Sequence, residues 1–413
     1  MNKPKLMHAD AVLSQFEIID DCLQIGGMSL TRLAQRVGST PFYACDRGHL
    51  NQRMALLRQH MPPSVQLHYA MKANPMPAVV QHMAGLVDGI DIASGAELRV
   101  ALDTGMEPAR ISFAGPGKSA RELGCAVAAG IVINIESAHE MMRLADIGAT
   151  LGIRPKVAVR VNPDFELKAS GMKMGGGPKQ FGVDAEAVPA LLGRLGALAL
   201  DFEGFHIYSG SQNLDADAIG EAQEKTFALA ERLAADAPAP VRTLNIGGGF
   251  GVPYFPGQQR LDIAAVGSRL HTLLPKTGSP LHGAQIVAEL GRYLTAEAGI
   301  YVCRIVERKV SRGRVYLVTD GGLHHNLAAS GNFGQVIRKN YPVLIGNKVQ
   351  GQAREAATVI GPLCTPLDVL ADDMEMAVGE VGDLVAVLQS GAYGLSASPV
   401  GFLSHPAALE VLV

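Results

Sequence analysis

The sequence predicts an α/β protein built on a closed (β/α)8 barrel of the TIM type, together with a smaller, mainly β domain. Two observations carry this prediction. From about residue 40 to residue 290, short β-type runs alternate with Ala- and Leu-rich stretches, the pattern of βα units around a parallel sheet. After residue 290, β-type runs separated by Gly and Pro replace that alternation.

The barrel prediction depends on the number of strands. Eight candidates in roughly 250 residues match the size of a closed barrel of eight βα units. They span residues 66–73, 89–94, 111–115, 132–136, 156–161, 202–209, 243–248 and 286–290, with helical stretches such as 216–235 between them. A doubly wound sheet is the weaker alternative, because the glycines of residues 247–251 come late in the chain and lack the GxGxxG spacing.

The second domain is predicted from β-type runs at residues 301–306, 315–319, 377–378 and 383–388, and a sandwich or Greek-key sheet fits them. Another strand-like piece, residues 24–30, precedes the barrel pattern, and we expect it to pair with this domain. The predicted domains are therefore a barrel at residues 36–290 and a β domain formed by residues 1–35 and 291–413.

Composition favours small-molecule chemistry. The chain has 413 residues, 48% hydrophobic residues and a formal net charge of −3, with no block of like charges and no apolar run of membrane-span length. We therefore expect neither a nucleic-acid nor a membrane partner. The first 17 residues lack the apolar core of a secretory signal, and the five cysteines show no CxxC spacing. Reduced thiols and a cytoplasmic location are expected.

Lys72 is the first candidate for a reactive residue. It follows an apolar run that begins at Val65 and precedes a turn-forming Asn74-Pro75. An amine that is partly desolvated on a rigid strand has a lowered pKa and can act as a Schiff-base nucleophile. For this segment by itself, a solvated lysine at a strand end is the simpler interpretation.

Polar residues at the other predicted strand ends change that interpretation, because reactive groups of a parallel barrel lie where its strands end. They are Lys72, Ser94 with Glu97, Arg160 with Asn162, residues 206–212, residues 247–251, and Glu289 with Arg292. Each has a structural explanation by itself, such as an ion pair, a core histidine or a tight turn. Their joint placement favours an active site.

Three of these features together predict a pyridoxal 5′-phosphate site. A lysine suits the aldehyde of this cofactor, and glycines 247–251 let backbone N–H groups approach a phosphate closely. Glu289 ends an apolar strand, where an unpaired carboxylate would be costly, and it suits the ring nitrogen. The glycine run is a moderate signal, since glycines also form plain turns.

With these residues in place, the chain resembles the fold type III pyridoxal-phosphate decarboxylases, the group of diaminopimelate, ornithine and arginine decarboxylases, whose barrel is similar to that of alanine racemase. The resemblance covers nearly the whole chain. Its motifs occur in family order: Thr40-Pro41-Phe42-Tyr43, Tyr69-Ala70-Met71-Lys72-Ala73-Asn74, Asp91-Ile92-Ala93-Ser94-Gly95-Ala96-Glu97-Leu98, Arg160-Val161-Asn162-Pro163, Gln180-Phe181-Gly182, Gly204-Phe205-His206 through Gly210-Ser211-Gln212, Gly247 to Gly251, Glu289 to Arg292, Gly361-Pro362-Leu363-Cys364 and Gly391-Ala392-Tyr393-Gly394.

The resemblance implies a role for each site residue. Lys72 holds the cofactor through a Schiff base, Glu289 pairs with the ring nitrogen, and either His206 or Tyr208 stacks on the ring. The implied surroundings of the phosphate are Ser211, Gly247, Gly248, Gly249, Gly291, Arg292 and Tyr393. The implied substrate contacts are Arg292, Thr365, Asp368 and Tyr393. No metal ligand is implied.

Cys364 resembles the family's catalytic cysteine, which reaches into the active site of the partner subunit. An enzyme whose site is completed across an interface must be an oligomer, most simply a homodimer.

The departures from the family pattern concern the substrate. Tyr208 stands where diaminopimelate decarboxylases typically carry a second histidine. Thr365 follows Cys364 where those enzymes usually place a glutamate and ornithine decarboxylases an aspartate, each to meet a distal amino group. The Arg-x-x-x-Tyr segment expected after residues 315–319 is also missing, and the chain reads Asp320-Gly321-Gly322-Leu323-His324-His325 there.

With these departures, the chain resembles the subgroup that contains exosortase-associated decarboxylases and the decarboxylase of glutamate tethered to an acyl carrier protein. The implied function is a pyridoxal-phosphate-dependent α-decarboxylase, a carboxy-lyase, acting on a free or carrier-tethered amino acid. His324 and His325 are assigned no metal, because further ligands at matching spacing are missing from the sequence.

Three alternatives stay open. Diaminopimelate decarboxylase of lysine biosynthesis is the first. An amino-acid racemase is the second, although racemases of this fold tend to place arginine against the ring nitrogen, where this chain has Glu289. A non-catalytic pyridoxal-phosphate-binding protein is the third, and the β domain and Cys364 argue against it.

Overall fold

The computed structural model describes residues 12–167, 171–333, 335, 338–351 and 353–413. The chain forms two compact units. The barrel unit consists of Arg53–Val252 and Arg260–Tyr293, and the β unit of residues up to Gln52, Pro253–Gln259 and Leu294–Val413. Within the described ranges, every helix is too short or too polar to cross a membrane.

The strands of the described ranges are β1 (Ile18–Ile19), β2 (Cys22–Ile25), β3 (Met28–Ser29), β4 (Phe42–Cys45), β5 (Val65–Ala70), β6 (Gly89–Ile92), β7 (Ile111–Phe113), β8 (Val132–Ile135), β9 (Lys156–Asn162), β10 (Met172–Lys173), β11 (Val183–Asp184), β12 (Asp201–Ile207), β13 (Gly210–Ser211), β14 (Thr243–Gly248), β15 (Gln285–Leu290), β16 (Gly299–Ser311), β17 (Arg314–Thr319), β18 (Val343–Ile345), β19 (Arg354–Ile360), β20 (Val369–Ala377), β21 (Leu384–Val387) and β22 (Leu409–Leu412).

The α-helices whose full extent is described are α1 (Leu30–Val37), α2 (Arg47–His60), α3 (Pro77–Ala84), α4 (Gly95–Asp103), α5 (Ala120–Ala129), α6 (Ala138–Leu151), α7 (Val188–Leu195), α8 (Ala216–Ala234), α9 (Ile263–Leu273) and α10 (Arg292–Thr295).

Eight parallel strands close the barrel, in the order β5, β6, β7, β8, β9, β12, β14 and β15, with β15 pairing back to β5. The predicted closed barrel is therefore confirmed, and each predicted strand corresponds to one of these eight. Several strands end earlier than expected. β5 stops at Ala70, because Met71–Ala73 forms a single 3-10 turn, so Lys72 lies on a turn rather than on the strand.

Serine side chains set the starts of three barrel helices. Ser94, Ser119 and Ser137 directly precede α4, α5 and α6, and each side chain accepts a hydrogen bond from the backbone N–H of a glutamate three residues later. This satisfies an N–H group that the helix itself leaves unpaired and places an acidic residue in the first turn. The caps hold the helix starts close to the strand ends that precede them.

The β unit is organised around β16, whose first half pairs with β4 and β21 and whose second half pairs with β17. The resulting eight-stranded sheet also contains β18, β19, β20 and β22, so the separate, mainly β domain is confirmed. Its core includes Leu23, Leu30, Phe42, Val302 and Ala386, all buried.

The compact-unit boundary differs from the predicted start of the barrel domain at residue 36. β4 pairs with β16 and β22, and the described residues from 12 to Gln52 belong to the β unit. The strand-like piece at residues 24–30 is the β2–β3 hairpin followed by the start of α1. Leu23 N–H donates to the carbonyl of Gly346, which joins this hairpin to the C-terminal part of the β unit.

Candidate active site

Lys72, Glu289 and His206 converge at one end of the barrel. Lys72 lies on the turn after β5, Glu289 is the next-to-last residue of β15, and His206 is the next-to-last residue of β12. β15 is the hydrogen-bonded neighbour of β5. Because the carboxyl ends of parallel strands meet at the same mouth of a barrel, residues far apart in the chain come together there.

The three side chains form a charged cluster. Lys72 Nζ donates a hydrogen bond to Glu289 Oε1 at 2.8 Å, and His206 Nε2 lies 3.1 Å from Glu289 Oε2. The Lys72 side chain is 41% exposed, whereas the Glu289 side chain is 5% exposed. Burial raises the pKa of Glu289, but the charges of Lys72 and His206 outweigh it and hold the pKa well below its usual range. A buried, ionised carboxylate therefore lies beneath an accessible amine.

This cluster has unused hydrogen-bonding capacity. Glu289 Oε2 and both ring nitrogens of His206 are buried and have no hydrogen-bond partner among the described residues. Glu289 Oε2 and His206 Nε2 are at ion-pair distance, but their geometry does not make a hydrogen bond. A buried carboxylate oxygen without a donor is costly. A protonated pyridine nitrogen is a donor of the required kind, and Lys72 supplies the amine for an aldehyde, so these residues fit pyridoxal phosphate.

The glycine segment of residues 247–251 is interlocked with the loop after β12. A Cβ at Gly248 would lie 2.0 Å from the carbonyl oxygen of Glu289, and one at Gly249 would lie 2.1 Å from that of Gly210. Gly251 N–H donates to the Asn213 carbonyl, and Asn213 N–H donates to the Gly249 carbonyl. The glycines therefore allow close backbone contacts that bring the predicted phosphate contacts after β12 and β14 together.

The segment after β15 also depends on a glycine. A Cβ at Gly291 would lie 2.9 Å from the Ala73 Cβ and 3.0 Å from the Ala70 carbonyl oxygen. Gly291 thus lets the end of β15 pack against the turn that carries Lys72. The next residue, Arg292, begins α10 and is half-buried.

His206 and Tyr208 occupy different positions. His206 is buried beside Glu289, whereas Tyr208 lies after the end of β12 and packs closely over Gly247. Their rings are nearly perpendicular, with centroids 6.5 Å apart. The two side chains therefore approach different parts of the candidate site.

Sequence analysis did not identify a second charged cluster in this unit. Arg160, on β9, donates through Nη1 to Glu136 Oε1 at 2.9 Å, and both side chains are buried. Glu136 is the last residue of the predicted strand at residues 132–136, and Glu289 is the next-to-last residue of the predicted strand at residues 286–290. An acidic residue at the end of an apolar strand was therefore the signal that could have found it.

The remaining predicted site residues lie in the β unit. Cys364 is an exposed free thiol, and Thr365 follows it with its hydroxyl accepting the Leu367 N–H at 3.4 Å. Tyr393 is half-buried, and its backbone adopts the left-handed conformation with φ +53°.

Asp368 was expected to contact substrate, but its structural position indicates a different role. It is 2% exposed, and its two carboxylate oxygens accept the backbone N–H groups of Leu323 at 2.6 Å and Leu363 at 2.8 Å. Gly322 and Gly361 pack against the same carboxylate, since a Cβ at either would lie within 2.3 Å of it. Asp368 therefore shapes the loop that carries Cys364.

His324 and His325 are buried in the β unit. Their ring centroids are 3.7 Å apart, and the His405 ring lies 5.3 Å from His324. His325 bonds to Tyr301 and to the Pro406 carbonyl, while neither ring nitrogen of His324 has a hydrogen-bond partner among the described residues. Burial, followed by the neighbouring histidines, lowers the pKa of His324 to about 4.

Comparison with known families identifies the barrel. A family model described as "Pyridoxal-dependent decarboxylase, pyridoxal binding domain" matches residues 47–296. The match includes Lys72, His206 and Glu289.

Individual relatives match the chain over nearly its whole length. L-glutamyl-[BtrI acyl-carrier protein] decarboxylase from Niallia circulans is 36% identical over 389 residues, covering 93% of this chain and 90% of that protein. Diaminopimelate decarboxylase from Aquifex aeolicus is 33% identical over 404 residues, covering 96% of this chain and 92% of that protein. A crystal structure of the Aquifex aeolicus protein AQ1208 matches with a TM-score of 0.84 at 31% identity, covering 97% of this chain and 93% of that one.

The loop around Asp368 gives a stability prediction. Gly322→Ala would place a Cβ 2.1 Å from Asp368 Oδ1 and displace a buried carboxylate from its two N–H donors. We expect the free energy of unfolding to fall by about 1–3 kcal/mol, measured by urea denaturation followed by circular dichroism. Gly124→Ala is the control, because a Cβ in the middle of α5 meets no atom within 4 Å and should raise stability by about 0.5–1 kcal/mol. Equal effects of the two substitutions would contradict this role for Asp368.

His324 gives a pH prediction. Its pKa is about 4 in the folded protein and near 6.5 when unfolded, so between these values the unfolded chain binds more protons. Its contribution to stability is therefore full above pH 6.5 and is lost as the pH falls towards 4. We expect His324→Leu to reduce the loss of unfolding free energy between pH 7 and pH 4 by an amount on the order of 1–3 kcal/mol. His139→Leu, at an exposed position, should leave the slope unchanged, and an unchanged slope for His324→Leu would show that this histidine is not the group responsible.

Proposed function

Because the chain belongs to the pyridoxal-dependent decarboxylase family, we propose that its substrate is an amino-acyl group tethered to a carrier protein. The chain is a pyridoxal-phosphate-dependent carboxy-lyase of an amino acid or amino-acyl substrate. The observation that supports the chemistry is the Lys72–Glu289–His206 cluster at the barrel mouth. The observation that supports the substrate class is a neutral Thr365 beside Cys364.

Each residue of the cluster has a proposed task. When bound, pyridoxal phosphate supplies an electron sink for the pair left behind as carbon dioxide departs. Lys72 Nζ, the accessible amine, would hold the cofactor covalently, and Glu289 would accept the ring N–H and keep that nitrogen protonated. A pyridinium is the stronger electron sink, so the low pKa of Glu289 suits this task.

Of the two aromatic candidates, we assign the ring contact to His206, because it is the one that reaches Glu289. Tyr208 packs over Gly247 and would border the phosphate contacts. The proposed phosphate and substrate contacts are Ser211, Gly247, Gly248, Gly249, Gly291, Arg292 and Tyr393.

Cys364 is proposed as the proton donor to the α-carbon, acting from the partner subunit of a homodimer. Its thiol is exposed and sits on a loop fixed by Asp368, so it could project from the β unit. Lys72 is the alternative donor.

The substrate proposal depends on the absence of an available acidic group near Cys364. A free diamino acid carries a distal ammonium that needs a carboxylate. Both oxygens of Asp368 accept backbone N–H groups, while Asp320 accepts the Arg304 N–H and the Thr40 hydroxyl. Thr365 is uncharged. The described parts of these two loops therefore offer no acid for a distal amine, which favours a substrate whose distal end is an acyl chain.

Diaminopimelate decarboxylase is the second candidate. The Aquifex aeolicus enzyme of that name is 33% identical over almost the whole chain, so the similarity supports this candidate nearly as well. Thr365 is the residue that argues against it.

Glu289→Gln tests the chemistry. The amide keeps the shape of the side chain but stabilises a protonated ring nitrogen much less, so we expect kcat to fall by roughly 100-fold or more with the cofactor still bound. Cofactor content is measured by absorbance and kcat by released carbon dioxide. Glu203→Gln is the control, because Glu203 lies near the start of β12, at the opposite end of the barrel strands, and pairs with Arg242. A Glu289→Gln enzyme with normal kcat would leave Glu289 only a structural role.

A comparison of specificity constants tests the substrate class. Losing a charge-assisted hydrogen bond costs about 1.5–3 kcal/mol, or roughly one to two orders of magnitude in kcat/KM. We therefore expect free meso-diaminopimelate, ornithine and lysine to be poor substrates compared with a glutamyl thioester on a carrier protein. Thr365→Glu should raise kcat/KM for the free diamino acids, whereas Thr365→Val should not. Efficient turnover of free meso-diaminopimelate by the unmodified enzyme would instead support the second candidate.

A further inference from the structure

A second buried carboxylate, Glu136, gathers donors from three separate parts of the barrel unit. Oε1 accepts the Gly115 N–H at 2.5 Å and Arg160 Nη1 at 2.9 Å, while Oε2 accepts the Gly182 N–H at 3.1 Å. Burial raises the pKa of Glu136, but Arg160 and Lys118 outweigh this and lower it below its usual range. Glu136 is therefore a charged acceptor whose two oxygens bind different segments.

Glu136 is itself supported by a buried ion pair. Lys118 Nζ donates to Glu140 Oε1 at 2.8 Å and to the carbonyls of Gly115 and Asn134, so all three ammonium hydrogens have acceptors. Glu140 Oε2 in turn accepts the backbone N–H of Glu136 at 2.8 Å. These bonds join the ends of β7 and β8 to the start of α6 and fix the backbone from which the Glu136 side chain projects.

The carboxylate of Glu136 attaches the segment of residues 171–182 to the barrel. Gly182 supplies the N–H bound by Oε2, and the ring of Phe181 lies 4.8 Å from the Arg160 guanidinium carbon. At its other end the segment forms β10, which pairs antiparallel with β13, so that Met172 lies opposite Ser211. One end of the segment is therefore held by Glu136 and Arg160, and the other borders a proposed phosphate contact.

We propose that Glu136 is a positioning residue that holds residues 171–182 against the barrel and thereby holds the Gly210–Ser211 strand in place for the cofactor phosphate. The part concerning the cofactor depends on the proposed role of Ser211. The part concerning the segment depends only on the hydrogen bonds of Glu136.

Because the two oxygens of Glu136 accept hydrogen bonds from different segments, we expect Glu136→Gln to break the contact with only one of them. A glutamine has one oxygen, and keeping it at the position that bonds Arg160 and Gly115 turns the amide NH2 towards the Gly182 N–H. Two donors then face each other, and the segment loses its attachment at Gly182, while Asn162 still holds Gly176 and Gly177. Gly182→Ala should break the same attachment from the other side, since a Cβ there would lie 2.9 Å from the Arg160 carbonyl oxygen and the Asn162 nitrogen.

Limited trypsin digestion of the holoenzyme tests the attachment, because Lys179 lies within the segment. We expect cleavage after Lys179, followed by mass spectrometry, to be roughly tenfold faster in Glu136→Gln and in Gly182→Ala. Asp91→Asn is the matched control, because Asp91 is also a buried barrel carboxylate but bonds His68 and Ser112. It should leave the cleavage rate unchanged. Titration of the apoenzyme with pyridoxal phosphate should show a several-fold higher Kd for the first two variants only.

Faster cleavage in both segment variants, with the control unchanged, supports the proposal. Cleavage of both at the wild-type rate overturns it, and equal acceleration in all three variants overturns it too, since Glu136 would then contribute only to general stability. Faster cleavage with an unchanged Kd keeps the attachment and overturns the link to Ser211. None of these outcomes depends on which substrate the enzyme decarboxylates.

Discussion

The candidate site depends on a carboxylate that is buried and still ionised. Removing a carboxylate from water costs several kcal/mol unless cationic groups and hydrogen-bond donors surround it. Glu289 meets this requirement only because β5 and β12, which belong to distant parts of the chain, bring Lys72 and His206 to the same mouth of the barrel. The ionised state of Glu289 therefore depends on the register of the parallel strands, which places Lys72 and His206 beside it. Any shift of β15 against β5 would leave a buried charge without its partner.

Two buried carboxylates at the barrel mouth pair with different kinds of cation. Glu289 pairs with Lys72, and Glu136 pairs with Arg160. The partners differ in a way that suits different tasks. Lysine is a flexible amine that is partly exposed here, so it can leave its carboxylate partner and bind another group. Arginine is held between Glu136 and the ring of Phe181, with its guanidinium buried, which suits a fixed positive charge. One cluster can thus react while the other holds its surroundings in place.

The sequence predicted the barrel well because its strands are apolar runs at regular spacing, and the same pattern located Lys72 and Glu289 at strand ends. It could not predict the partners of buried polar groups. Glu136 and Arg160 are 24 residues apart, and Asp368 bonds a backbone N–H 45 residues away, so local pattern contains neither contact. The structure also changed the interpretation of Asp368, because an acidic residue three positions after a threonine gives no indication that backbone N–H groups already occupy its carboxylate. The compact-unit boundary differs from the predicted domain boundary for a similar reason: β4 looks like any barrel strand until its partners β16 and β22 are known.

In the loop of the β unit that carries Cys364, the residue after the cysteine can differ in charge without a change in the shape of the loop. Asp368 keeps the turn that carries Cys364 in place through two backbone N–H groups, and Gly322 and Gly361 leave room for its carboxylate. None of these contacts involves the side chain of Thr365, which bonds only locally to the Leu367 N–H. The residue after the cysteine can therefore vary between acidic and neutral with little effect on the loop. In the proposed function, a change at this one position would alter specificity for the distal end of a substrate, because the interactions that fix the loop and those that would recognise the substrate come from different residues.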